Sequence, residues 1–349
     1  MSKPAADDQL NPATGQQRVG KGLWYALGFS AVGIAVVLHG LLESGPTPSL
    51  RGIDWFLVGF GFIAQVIVWL AKAARMYFIA AGMKARIPLG RFFQIYLATC
   101  FMSHITPFNS GGTPLQVYLI KQQGVSLGKA TAITTVDLGL NTFFYGLLIP
   151  IAVVVSWQTG QAGLPKAGRN WGQWLGIGFG ALLVVGSLVW IAGNWSRFGW
   201  TRRIHAAMTK RGWFRNMMRE WDRFKEGWRL LIQEHPIAIV GASLATVAYW
   251  LFYLLLAPLI IWALGREASF LKLIGIQLIY NFAQLLVPTP GGSGGSEVIL
   301  SYLFRGICGP GQIAIFVLIW RGYTYFSSLI FGGIFFWRLS VNHKRRSKD

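Results

Sequence analysis

Long apolar runs separated by short basic loops set the pattern of this chain. Uninterrupted runs lie at about 23–42, 55–74, 130–157, 173–193, 237–264 and 312–337. Each has the roughly 20 residues that a helix needs to cross a bilayer core. Two further apolar stretches, about 92–120 and about 273–304, are broken by proline and glycine. The second carries PTPGGSGGSE, from Pro288 to Glu297, between LIGIQLIYNFAQLLV and VILSYLF. The pattern predicts an all-α polytopic membrane protein with about six full spans.

Loop charges orient these spans. Residues 72–91 include Lys72, Arg75, Lys84, Arg86 and Arg91 and no acid, which assigns this loop to the cytoplasm. The segment 194–234 holds ten Lys/Arg against four Asp/Glu, and the chain ends in RLSVNHKRRSKD, so both are expected inside as well. ESGPTPSLRGID, 43–54, is expected outside. Parity then constrains the broken stretches. With 72–91 and 194–234 on one side, 92–120 must leave the cytoplasm and return to it. Each of its halves has about 14 residues, roughly 21 Å as helix, which is short of a 30 Å core. A re-entrant hairpin satisfies the count. The same count makes 273–304 a hairpin that enters from the outside.

The two hairpins also match in sequence. Placing Pro107 over Pro288 aligns PFNSGGTPLQVYL with PTPGGSGGSEVIL without a gap, with Gly111 on Gly292 and Gln116 on Glu297. Each hairpin is flanked by full spans, which predicts an inverted repeat, with unit one at about 53–157 and unit two at about 236–338. The expected turns are Pro107, Gly111 and Gly112 in the first hairpin. In the second they are Pro288, Pro290, Gly291, Gly292, Gly294 and Gly295. Oppositely oriented repeats with broken helices are a transporter pattern, with the site near the midplane. The layout is thus a cytoplasmic tail at 1–21, one transmembrane domain at 22–338 and a basic cytoplasmic tail at 339–349.

Composition refines the picture. Hydrophobic residues make up 53% of the chain and the net charge is +20. The basic residues sit beside spans, as topology signals and attractors of anionic lipid, so nucleic acid is not an expected partner. In 194–234, tryptophans interleave with arginines, which predicts an amphipathic segment lying on lipid headgroups. Two cysteines, Cys100 and Cys308, and five scattered histidines form no disulfide framework or metal motif, and no metal or cofactor is expected.

Ionisable groups at membrane depth are few, and such groups usually face a cavity. Asp137 and Asn141 share a helix face, Glu297 closes the glycine turn, Arg321 lies inside span 312–337, and Arg75 ends the second span. The candidate substrate-binding residues are Glu297 and Arg321 on one side of a polar cavity, with Arg75, Gln116, Lys121 and Asp137 on the other. Asn141 and Asn281 complete the set. Arginine grips phosphate through bidentate, charge-assisted bonds. The same residues also read as structural ion pairs, Glu297–Arg321 and Arg75–Asp137, that hold the hairpins in place. No catalytic residue is expected. GGSG, at 291–294, matches an intramembrane protease motif, but His343 in the tail is the only histidine after it. The lysine of a P-loop is also missing.

GGTPLQVYLIKQQGVSLGKATAITTVD and VPTPGGSGGSEVIL with WRGYTYF resemble the lysylphosphatidylglycerol synthase transmembrane-region family, also called flippase-like. The resemblance implies an inverted-repeat domain that moves lipids such as aminoacylated phosphatidylglycerol between leaflets. It places the family's glycine turns at Gly111–Gly112 and Gly291–Gly295, and its acidic and basic positions at Glu297 and Arg321. Thr113 stands where many relatives carry an acid. The chain ends at Asp349, just after its last span, so the soluble aminoacyl-transferase domain of some members is not expected. The expected function is translocation of an anionic or phosphate-bearing lipid in the cytoplasmic membrane. The alternatives are the membrane part of a lipid-modifying enzyme, such as a phosphatidylglycerol lysyltransferase, and a scaffold for a partner synthase.

Overall fold

The computed structural model describes residue 50, residues 52–158 and residues 212–346, and every regular element among them is helical. The expected spans at 23–42 and 173–193, the tail 1–21, the stretch 194–211 and residues 347–349 lie outside the described residues. In chain order the helices are α1 (Trp55–Gly82), α2 (Leu89–Ile105), α3 (Gly112–Lys121), α4 (Leu127–Gln158) and α5 (Gly212–Arg229). There follow α6 (Pro236–Ala263), α7 (Phe270–Gln284), α8 (Gly295–Phe304), α9 (Pro310–Arg321) and α10 (Ser327–Arg346). Short 3₁₀ turns at Pro107–Asn109 and Pro290–Gly292 interrupt α2–α3 and α7–α8. A π turn at Gly322–Phe326 joins α9 to α10 without ending the rod. Three of these segments, Trp55–Gly82, Pro236–Ala263 and Gly311–Ser340, are long and apolar enough to cross a membrane.

The central scaffold is the pairing of α1 with α6, the most extensive contact in the fold. Asp54 caps α1 by accepting from the amides of Phe56 (2.9 Å) and Leu57 (3.2 Å), which satisfies donors that a helix start leaves open. The Asp54 amide in turn donates to the Ala263 carbonyl (2.9 Å), fixing the start of α1 to the end of α6. At the other end Gly82 lies against Ala238, so the two helices run antiparallel. Small residues (Gly82, Ala238, Gly241 and Ala242) line this seam and let the backbones approach, as between helices in lipid.

Two apolar cores flank the seam. One gathers Leu256, Ile260, Phe304, Phe316 and Trp320 from α6, α8 and α9. The other gathers Met76, Ile79, Phe92, Ile95, Ile120 and Ile133 from α1 to α4. The outward faces of the same helices expose Phe56, Ile237, Leu244, Leu251, Ile330 and Trp337. Large apolar side chains both inside and outside a helix bundle suit a hydrocarbon surround.

Elements match the apolar runs closely except at the end of α1. The stretch 72–91 is not a loop from its start, because α1 continues to Gly82 and buries Lys72 and Arg75. Both side chains find a carboxylate inside the bundle, so they do not end the helix. The exposed basic turn shrinks to the residues after Gly82, where Lys84 and Arg86 remain. Within the segment 194–234, α5 exposes Arg219, Asp222, Arg223, Lys225 and Glu226 and buries Gly227. It packs along α4, where the Gly128 amide donates to Glu220 Oε2 at 2.6 Å.

α10 lies on α2 at its closest through Gly332, where an added Cβ would collide with the Leu97 carbonyl oxygen. Gly332→Ala should therefore destabilise the protein by about 1–3 kcal/mol, as overpacking does. Gly59→Ala, on an open face of α1, should be neutral or slightly stabilising. Thermal unfolding of the two variants in detergent checks this, and equal midpoints would contradict it.

Candidate functional site

The breaks in the two helical pairs share one backbone plan. After an extended threonine, Thr106 or Thr289, proline opens a 3₁₀ turn whose next two residues take left-handed φ. These are Phe108 (52°) and Asn109 (54°) in one break and Gly291 (59°) and Gly292 (66°) in the other. The helices that follow, Gly112–Lys121 and Gly295–Phe304, have ten residues each. Backbone equivalence thus sets Pro107 over Pro290, two residues beyond the gap-free sequence register over Pro288. The reason is conformational. The turn is made by the left-handed pair, which in the first break is not Gly111–Gly112, so Gln116 and Glu297 are not structural counterparts. Gly111 instead donates its amide to Thr106 Oγ1 (2.9 Å), and Gly112 starts α3.

The breaks touch each other. Gly291 packs beneath the His104 carbonyl and the Tyr325 ring, and its φ is one that L side chains rarely adopt. His104 meets Tyr325 edge-on at 5.0 Å between ring centroids. Around this junction lie two buried ionic clusters.

The first centres on Asp137 of α4, which is fully buried. Lys72 Nζ lies 2.6 Å from Oδ2 and Arg75 Nε 2.7 Å from Oδ1. Gln116 of α3 donates more weakly to Oδ2 (3.4 Å). Arg75 Nη1 reaches Asn141 Oδ1 (3.3 Å) and Thr246 Oγ1 of α6 (3.5 Å), while Nη2 is buried with no hydrogen-bond partner among the described residues. Tyr249 lies under the guanidinium and Tyr96 near the ammonium, at 5.5 and 5.8 Å. Two cations thus converge on one carboxylate, which leaves positive charge in excess.

The second cluster centres on Arg321 at the end of α9. Its Nε pairs with Glu297 Oε1 of α8 at 3.0 Å, both side chains being buried. Nη1 donates to the Gly291 carbonyl (3.3 Å) and Nη2 to Ser293 Oγ (3.1 Å), so one side chain secures the break and the helix after it. Tyr325, in the π turn, lies 4.0 Å below the guanidinium. π turns inside helices recur at functional sites.

Between the clusters runs a partition of aromatic rings. Tyr249 stacks on Tyr253, Tyr253 meets Trp320 edge-on at 6.2 Å, and Trp320 meets Tyr280 at 5.5 Å. The Tyr253 hydroxyl donates to Asn281 Oδ1 at 2.7 Å, which places Asn281 on this partition.

Of the residues singled out in the sequence, the fold brings Arg75, Gln116, Asp137 and Asn141 into one cluster and Glu297 and Arg321 into the other. Lys121 is exposed at the end of α3, outside both. Lys72, Thr246, Ser293 and Tyr249 were not anticipated. For Lys72 a signal existed, since it lies one helical turn before Arg75 on the same face. Among the described residues, no group of three His, Cys, Asp or Glu side chains could hold a metal ion.

The family model described as "Lysylphosphatidylglycerol synthase TM region" matches residues 23–332. The chain belongs to this family. The match takes in both breaks and both clusters. A "UPF0104 membrane protein" of Archaeoglobus fulgidus is 27% identical over 323 residues, covering 90% of this chain and 94% of that protein. One of the same description from Methanothermobacter thermautotrophicus is 24% identical, covering 82% of this chain and 85% of its own length. Family, relatives and long apolar helices agree that this is a membrane protein.

Buried pairs lose most when one partner goes and little when both do. Arg321→Met should therefore cost about 3–5 kcal/mol, and Arg321→Met with Glu297→Met should recover most of that loss. Asp137→Asn, which strands two cations, should be at least as harmful as the single Arg321 change. Unfolding midpoints of the purified variants test the order. A double variant no more stable than Arg321→Met would refute it.

Proposed function

We propose that the protein is a lipid translocase of the cytoplasmic membrane, with both termini inside. It moves an anionic or phosphate-bearing lipid between leaflets. On this reading the two broken helix pairs are re-entrant hairpins of opposite orientation, set in an inverted repeat with about six full spans. The observation that carries the reading is the pair of buried arginine clusters, one reaching a broken helix pair through Gln116 and the other through Glu297, with ring contacts running from Tyr249 under Arg75 to Trp320 and Tyr280. A buried cation is expensive in lipid unless it is compensated, and such residues mark substrate paths. Asp137 and Glu297 compensate the resting state. A headgroup phosphate that reaches Arg75 or Arg321 takes over its guanidinium, so no step leaves a cation bare.

The excess cation of the Asp137 cluster makes it the stronger anion acceptor. The unpartnered Nη2 of Arg75 is the free donor for a first phosphate oxygen. The Arg321 cluster is neutral as a pair and also holds the break shut through Gly291 and Ser293. Exchange of its carboxylate for a headgroup loosens that closure. Binding at the repeat interface and movement around it is the alternating scheme that inverted repeats support.

The test is reconstitution of the purified chain in liposomes holding a fluorescent phosphatidylglycerol in the inner leaflet. The readout is the label's exposure to an impermeant quencher. Protein should accelerate exposure, and Arg75→Gln should slow it about tenfold or more, the scale of one lost charge-assisted bond. The variant with Met at both 297 and 321 should remain folded yet inactive. Full activity in that variant assigns the pair to structure alone. Activity that requires added aminoacyl-tRNA assigns the chain to a lipid-modifying enzyme.

A further inference from the structure

A second charged feature lies away from the buried clusters. Where α1 turns into α2, the residues after Gly82, the α3–α4 connection and α5 border an open cavity of about 480 Å³. Among the described residues its wall includes Lys84, Arg86, Lys129 and Arg223, with Glu226 as the one acidic residue of the lining. We propose that this cavity binds a phosphoanion, a phosphate or pyrophosphate group that either terminates a lipid headgroup or is free in solution. The proposal does not depend on the transport reading.

Charge and preorganisation both support it. Lys84 and Arg223 are held by carboxylates outside the lining, Glu234 at 3.0 Å and Glu220 at 2.6 Å. The hydrogen bond from Lys84 keeps the Glu234 carboxyl below its ordinary range, so this anchor stays ionised at neutral pH. Glu234 is shared with Arg229 (3.6 Å), and Glu220 also takes the Gly128 amide, so neither fully neutralises its cavity cation. Arg86 and Lys129 have no ion-pair partner among the described residues. They offer a planar fork and a point charge to one ligand, the combination that suits phosphate oxygens.

Backbone geometry points the same way. Lys84 is a non-glycine residue at φ 57°, a conformation rare enough to need support from its surroundings. The end of α1 gives that support, because the Lys84 and Ala85 amides donate to the Ala81 (2.9 Å) and Ala80 (2.8 Å) carbonyls, while the bond to Glu234 keeps the ammonium beside the cavity. The first amides of α4 are already used, Gly128 by Glu220 and Lys129 by Ser126 Oγ (3.3 Å), so side chains must supply the donors. Basic residues that only orient spans need to lie near the membrane. They need not converge from three separate segments on one cavity.

Inorganic pyrophosphate titrated calorimetrically into the full chain, in nanodiscs of pure phosphatidylcholine, tests the proposal. Saturable binding is expected, weakened about tenfold or more by Arg86→Gln with Lys129→Gln. Glu226→Gln should tighten it, a gain that misfolding cannot imitate. Nanodiscs containing phosphatidic acid, whose phosphate is terminal, separate the sources. Weaker apparent pyrophosphate affinity there identifies headgroups as competitors, and unchanged affinity identifies a soluble anion. Pyrophosphate that fails to bind in phosphatidylcholine, or binds equally to all variants, overturns the proposal. So does a cavity that takes a poly-glutamate peptide but not pyrophosphate.

Discussion

A guanidinium enclosed by apolar helices must have its donors and its charge answered by the protein, and Arg321 meets that constraint by holding a broken helix in shape. One side chain joins the carboxylate that opens α8, the carbonyl of Gly291 and the hydroxyl of Ser293. Backbone interrupted inside a buried helix pair is tolerable only where its polar groups find partners in the protein. Here the partner is a cation whose own burial is tolerable only because of those groups. Each explains the other, and the π turn that follows places Tyr325 under the same guanidinium.

The opposite half solves a related problem with a different charge balance. Lys72 and Arg75 both depend on Asp137, with amide and hydroxyl donors and acceptors from three other positions filling the remaining geometry. Four helices therefore meet at one carboxylate, and the cluster works as a keystone between α1, α3, α4 and α6. The two halves share a backbone plan at their breaks but not their electrostatics. The second half is thus no electrostatic copy of the first.

Much of this was legible in the sequence, because apolar length and the Pro/Gly interruptions are local signals. The run 237–264 is α6 displaced by one residue, and both interruptions fall where the chain breaks. Long-range compensation was not legible. A lysine and an arginine at the end of an apolar run look like the edge of the membrane. Their burial is decided by Asp137, more than sixty residues later. The repeat register was misplaced by two residues because matching glycines outweighed the turn geometry, which in the first break is adopted by Phe108 and Asn109. Lys121 was expected beside Gln116 at the cavity, but Gln116 is buried on α3 and Lys121 is exposed.

The glycine contact between α10 and α2 has a mechanical meaning. Helices separated by a layer of side chains can slide past one another as those side chains change rotamer, which is how shear motions work. At Gly332 that layer is missing, and helix backbone rests on the Leu97 carbonyl. One turn further along α2, Phe101 packs beside Gly333, so the close contact continues and resists sliding between α2 and α10. A movement of α2 at the first break is then transmitted to the last helix, and the coupling rests on the absence of a side chain.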